Sequence, residues 1–261
     1  VAVAPAGTPN AGDVYVANSG DATVSVIDPS NTVIATISVG SNPFAVAIAP
    51  AGTPNAGDVY VTNEGDNSVS VFGPTNSFIT TIAVGGDPDA IAIAPSNTDN
   101  SGDVYVANNQ SRNVSVINPG NSVIATVTVG VSPTALAVSP TSGNIGDVYV
   151  GNYSSEYVSV IGSSNSVIAT ISVPEYALSI GISDSGNHAG DVYVGSYYSG
   201  DGSIIDPSGN VVALGTGYRS YGLAIAPEGT ANAGDVYVGN YDNTVQVFDG
   251  AGTLLNTINL P

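Results

Sequence analysis

Gly57-Asp58-Val59-Tyr60-Val61-Thr62-Asn63 decides the fold, because its first five residues return five more times along the chain. Gly-Asp-Val-Tyr-Val begins at Gly12, Gly57, Gly102, Gly146, Gly190 and Gly234, with successive spacings of 45, 45, 44, 44 and 44 residues. Self-similarity at a fixed period of this length marks one supersecondary unit repeated in tandem.

Working outward, each unit holds four short apolar runs separated by turn residues. Around Tyr60 the first run is Ala45 to Ala49, AVAIA, the second is Asp58 to Val61 and the third is Ser68 to Phe72, SVSVF. A fourth run follows, as in Ser122 to Val129, SVIATVTV. Val, Ile, Tyr and Thr dominate these runs, and Gly, Pro, Asn and Asp punctuate them, which is strand and turn chemistry without a helical period. The reading is all-β: a six-bladed β-propeller with four antiparallel strands per blade. It forms a single domain over 1–261, with blades near 1–40, 41–85, 86–130, 131–173, 174–216 and 217–261 and both termini at a blade boundary. Inner strands of such blades crowd together, and Ala45, Ala47 and Ala49 alternate with Val46 and Ile48 as that crowding requires. Gly181 and Gly222 extend the same logic.

The recurring Tyr15, Tyr60, Tyr105, Tyr149, Tyr193 and Tyr237 read as packing between blades, each hydroxyl finding a partner. The recurring Asp13, Asp58, Asp103, Asp147, Asp191 and Asp235 follow a Gly before a strand, where Asp fixes a turn by bonding nearby backbone N–H groups.

Tyr60 to Asn63 spells YVTN, with YVAN at Tyr15 and Tyr105 and YVGN at Tyr149 and Tyr237. The runs TVSVID from Thr23, VIATISVG from Val33 and PFAVAIAP from Pro43 complete the pattern. The chain resembles the YVTN-repeat β-propellers of prokaryotic, archaeal-type surface-layer proteins over nearly its whole length. The resemblance implies a propeller and a surface-structural role, although related propellers also occur in lactonase-like, streptogramin-lyase-like and haem- or quinone-associated proteins. The family's short Pro-Asp-Gly turn is replaced here by longer loops such as Pro50 to Asp58.

Acidic residues number 21 against 2 basic ones, Arg112 and Arg219, for a net charge of −19. No basic patch exists to displace counterions from nucleic acid or to dock on anionic lipid. No apolar run is long enough for a membrane-inserted helix, and the N-terminal stretch does not read as a signal peptide. Cys, Met and Trp are absent, which removes the easily oxidised side chains and fits an extracellular, cell-surface location.

Catalytic constellations are sparse. The only histidine, His188, lies in the loop Ser183 to Gly190 and reads as an exposed loop residue. One His and no Cys exclude a zinc set built on imidazole and thiolate, and no Gly-x-Ser-x-Gly presents a serine. Glu64, Glu156, Glu175 and Glu228 fall in loops of different blades, so carboxylate acid–base chemistry is the remaining enzymatic route. The expectation is accordingly not an enzyme and no cofactor. Calcium is the one metal the loops suit, through Asn18 to Asp21, Asn63 to Asn67 and Ser199 to Asp201. Sequons stand at Asn109, Asn113 and Asn152 as glycosylation candidates.

Eight tyrosines lie outside the repeat position, all in blades 4 to 6: Tyr153, Tyr157, Tyr176, Tyr197, Tyr198, Tyr218, Tyr221 and Tyr241. With Arg219 they fall in loops that leave the blades at one end, and form the candidate binding surface. Rigid rings with polar tips, near Glu156, Glu175, Asp201 and Asp242, suit recognition. The functional expectation is an extracellular surface-layer, sheath or filament module, acting through adhesive contacts with other surface proteins, copies of itself or glycans. A carbohydrate-binding propeller is the alternative, and a lactonase- or lyase-like enzyme stands third.

Overall fold

A computed structural model describes residues 1–141, 143–173, 176–184, 186–197, 202–216 and 219–261. Six four-stranded antiparallel sheets follow one another in chain order, as the blades of a six-bladed β-propeller. The first sheet begins with Ala2–Val3 and the last ends with Leu254–Asn259, and among the described residues no strand is exchanged between the chain's two ends. Two compact units divide the chain, Val1–Thr128 with blades 1 to 3 and Val129–Pro261 with blades 4 to 6.

Why Val-Tyr-Val recurs is visible in what each residue covers. Val59 and Val61 pack back against Tyr15, Val24 and Val26 of blade 1. Tyr60, between them, points to the other face and packs forward on Val104 and Val106 of blade 3. Side chains alternate across a strand, so one tripeptide serves two interfaces. Second and third strands such as Val59–Asn63 and Ser68–Phe72 are consequently buried throughout. Each fully buried Val or Ile contributes about 1.5–3 kcal/mol. The fourth strands, such as Phe78–Ala83, are edges and largely exposed.

Tyr15 and Tyr60 also close polar clamps between blades. Asn55 Nδ2 donates to Tyr60 Oη at 2.9 Å and to the carbonyl of Gly102, in the next blade, at 3.0 Å. Tyr60 in turn donates to Asn121 Oδ1 of that blade at 3.1 Å. Asn10, Tyr15, Gly57 and Asn76 repeat this arrangement one blade earlier. The longer loops between first and second strands exist to deliver these asparagines. Burial pushes the Tyr60 and Tyr105 hydroxyls up to about 12.

Two expectations need correction here. The recurring aspartates fix their turns through the backbone: Asp58 N–H donates to Asn55 O, and Asp58 O accepts from Ala49. Crowding of the first strands holds at Gly181, where a Cβ would lie 2.6 Å from Leu223, but at Gly222 the same position faces open space.

Candidate functional site

From blade 2 onward, three backbone features recur where each blade is entered and where its second strand ends. The residue just before or at the start of the first strand adopts a left-handed conformation: Asn42 (φ 53°), Asp87 (59°), Ser132 (54°), Tyr176 (69°) and Arg219 (62°). Its carbonyl accepts the N–H of the residue after the second strand, namely Glu64, Asn109, Tyr153, Tyr197 and Tyr241, at 2.8–3.1 Å. Just downstream, the register shifts and leaves one extra residue, which is Asp89 in blade 3, Thr134 in blade 4, Leu178 in blade 5 and Tyr221 in blade 6. Bulges of this kind re-aim side chains. Asn tolerates the left-handed region, but Tyr and Arg there are uncommon and mark a position held for another reason.

In the second unit five of these nine positions carry tyrosine rings. Tyr176 meets Tyr153 edge-on at 5.2 Å, Tyr153 lies 6.1 Å from Tyr197, and Tyr197 meets Tyr221 at 5.3 Å and 85°. Tyr221 then reaches Tyr241 at 6.0 Å. The Arg219 guanidinium sits over both Tyr197 and Tyr241, 5.3 and 5.2 Å from their ring centres, within cation–π range. Tyr221 donates its hydroxyl to Tyr197 at 3.2 Å, and that bond is the main reason its pKa is raised. Tyr221 and Tyr241 remain 49% and 60% exposed, so the belt faces solvent. A cavity of about 250 Å³ lies at its start, lined by Tyr153, Ser154, Ser155, Glu156 and Tyr176.

Six of the nine expected site residues therefore come together: Tyr153, Tyr176, Tyr197, Arg219, Tyr221 and Tyr241. Tyr157 stands instead at the head of a third strand, opposite Ser172, and its carbonyl accepts from Asn152. Tyr198 and Tyr218, with Glu175 and Asp201, lie outside the described residues.

In the first unit three of the five named positions carry acids. Glu64, Asp87 and Asp89 are half-buried, and one carboxylate oxygen from each lies within 4.8 Å of the others. Glu64 is held above its ordinary range by burial, then by Asp89 and Asp87. Burial raises Asp89 too, against a 2.6 Å hydrogen bond from Asn109 Nδ2. Such a set can share a proton or take a hard cation through oxygen. Of the loops suited to calcium, Ser19–Asp21 and Glu64–Asp66 are single 3-10 turns, and Ser199 to Asp201 fall outside the described residues.

The sequon residues are already committed. Asn152 is fully buried and donates to Tyr157 O and Ser159 Oγ at 3.0 Å. Asn109 bonds Asp89, and Asn113 accepts from Asn108 at 2.8 Å. His188 is not a plain exposed loop residue: its Nδ1 lies 2.9 Å from Asp191 Oδ2.

No family model matches the chain, and no curated protein matches it. Solved structures do. Hydrazine synthase of Kuenenia stuttgartiensis is 18% identical, with 97% of this chain and 85% of that one covered and a TM-score of 0.75. A catalytically inactive histidine-to-alanine variant of virginiamycin B lyase from Staphylococcus aureus, with quinupristin, is 12% identical over 99% of this chain and 83% of that one, at a TM-score of 0.77. A protein of unknown function from Desulfotomaculum acetoxidans is 17% identical over 94% and 81%, at 0.72.

At these identities the likeness is one of fold. It corrects two expectations nonetheless. The similar solved propellers include lyases and a synthase, so the reading of a surface-layer or adhesive module that is not an enzyme does not stand. Nothing in the likeness favours carbohydrate binding either. The physical reason is that a propeller frame leaves its loop ends free for chemistry. The missing zinc and serine motifs excluded only those two mechanisms.

Asp87 and Asp89 escaped the sequence reading. The signal was present: aligned by repeat, Gly85-Gly86-Asp87-Pro88-Asp89 stands where blade 2 has Gly40-Ser41-Asn42-Pro43-Phe44.

Proposed function

We propose that this chain is an extracellular propeller enzyme that grips an extended, flat-faced organic substrate on the tyrosine belt of blades 4 to 6. The observation carrying this reading is the unbroken series of ring contacts from Tyr176 through Tyr153, Tyr197 and Tyr221 to Tyr241. Edge-to-face rings leave slots in which aromatic or peptide planes stack, and the hydroxyls offer donors along the rim. Arg219, held between two rings, supplies a cation for an anionic or carbonyl group. By its fold the chain sits beside lyases, one of them described with quinupristin, and elimination is the chemistry we assign. In ancestry we infer a YVTN-type repeat, from Tyr60 to Asn63 and its copies.

The chain has no Trp, so its near-ultraviolet emission comes from tyrosine. Quinupristin is the first probe, read by quenching of that emission and by loss of intact compound in mass spectrometry. Wild type should show saturable quenching. The Tyr197→Ser/Tyr221→Ser variant should bind at least about tenfold more weakly, with an unchanged melting temperature. Equal binding by wild type and variant would remove the belt from the site.

The acidic cluster of the first unit favours a second reading, in which Glu64 or Asp89 is the proton acceptor. Carboxylates raised by burial and by each other are poised for that task.

A further inference from the structure

Five residues before each repeat tyrosine stand Asn10, Asn55, Asn100, Asn144, His188 and Asn232. Five of the six are the clamp asparagine. Blade 5 alone has a histidine, and it does something different. Its Nδ1 pairs with Asp191, the recurring aspartate of the same blade, at 2.9 Å. In no other blade does that aspartate have a side-chain partner among the described residues. Tyr193, without a clamp asparagine, donates instead to the carbonyl of Gly250 at 2.6 Å.

Gly250 is itself a departure. The matching turn position holds Pro29, Pro74, Pro119, Ser163 and Pro207 in the other blades. A Cβ at Gly250 would lie 2.6 Å from His188 Cδ2, so the ring occupies space that any larger residue there would need. The two departures therefore touch. Between them lies a groove of about 170 Å³ lined by His188, Asp191, Ile204, Asp206, Val212 and Gly250. The corresponding groove one blade earlier is lined by Asn144, Asp147 and Pro207, with no imidazole. It opens where first strands lead to second strands, the end of the blades away from the tyrosine belt.

An imidazole whose Nδ1 is held by a carboxylate has a fixed orientation and keeps Nε2 as its exchanging nitrogen. Ile204 and Val212 give the groove apolar walls. The carboxylates lining the groove with the ring are Asp191 on its own turn and Asp206 on the next turn of blade 5, and Asp249, beside Gly250 on blade 6, acts on Tyr193.

We propose that His188 and Asp191 form a proton-transfer dyad, acting on a small, flat, mostly apolar molecule that carries an acidic C–H near a departing heteroatom. Nε2 takes the proton, and the C–H electron pair becomes a new multiple bond. The bond to the heteroatom breaks, and the heteroatom leaves with its electron pair. The proton then passes from Nε2 to solvent. Asp191 steadies the imidazolium formed in between. This site is independent of the belt.

5-Nitrobenzisoxazole tests it, because removal of its ring proton opens the N–O bond to a coloured cyanophenolate. Wild type should turn it over with saturation. His188→Asn, which installs the residue every other blade carries, should lose about 100-fold in rate while keeping its melting temperature. Asp191→Asn should lower kcat at unchanged KM. The double variant His188→Asn/Gly250→Pro restores the repeat's own pair, so it controls for folding. If that folded variant matches wild type in rate, or if wild type does not exceed it, the proposal is wrong.

Discussion

Tyr60 and Asn121 stand 61 positions apart in sequence, yet the Tyr60 hydroxyl donates to the Asn121 side-chain oxygen at 3.1 Å. The same hydroxyl accepts from Asn55, whose amide also holds a carbonyl of blade 3. Among the described residues blades 2 and 3 share no strand ladder, so this clamp supplies the directional bonds that side-chain packing lacks. Tyr60→Phe should cost about 1–2 kcal/mol by leaving buried amides short of a partner. Tyr237→Phe, whose hydroxyl accepts from the exposed Asn232, should cost under about 0.5 kcal/mol. Denaturant midpoints for the two variants check the difference.

Alkaline pH should open the same joints. The Tyr60 and Tyr105 hydroxyls are pushed up to about 12, above the value of about 10 for an unfolded phenol. A raised folded pKa contributes stability that is complete below about pH 10 and is lost as pH climbs through about 12. Melting temperatures recorded from pH 8 to 12 should fall beyond about 10, and fall less steeply in Tyr60→Phe/Tyr105→Phe. A flat profile would show that the phenols ionise without resistance.

The carboxylates of the first unit obey the same sign rule with the opposite practical result. Glu64 and Asp89 are raised, so their favourable contribution exists at acid pH and disappears as pH rises through their folded values. At pH 7 the cluster is a cost. Glu64→Gln and Asp89→Asn should each raise the melting temperature at neutral pH and leave it unchanged near pH 3. Millimolar calcium or magnesium should stabilise wild type and do little for Asp89→Asn, if the cluster takes a cation. Thermal scans at the two pH values, with and without the ion, decide it.

Charge also acts globally. A chain of 261 residues with 19 excess negative charges repels itself, and salt screens that repulsion. The melting temperature should rise between dilute buffer and about 0.5 M sodium chloride at pH 7, where the Debye length has fallen to a few ångströms. Equal values in both would show that the acidic side chains are too well solvated to matter.

The period of the Gly-Asp-Val-Tyr-Val string, read from the sequence, was enough to count the blades and set their strands. Both follow from local rules, a side-chain alternation of two and turn residues at fixed offsets, and local rules are written in order along a chain. The inter-blade role of Tyr60 was legible for the same reason: a large residue between two valines can only face the opposite side. The tyrosines of blades 4 to 6 could be named but not joined.

Whether Tyr197 would meet Tyr221, or Tyr157 would stand apart, depended on left-handed residues and bulges whose effect appears only once strands pair. Glu64 stayed isolated in sequence because Asp87 and Asp89 come from the next blade, drawn near by packing between sheets. His188 is the sharpest case. Composition marks it only as a lone histidine, and the tertiary structure seats it in an asparagine's place, against Asp191 and the space left by Gly250. Sequence determines what each blade is, because strand chemistry is local. Which side chains become neighbours is a property of distance in space, and only the packed blades set it.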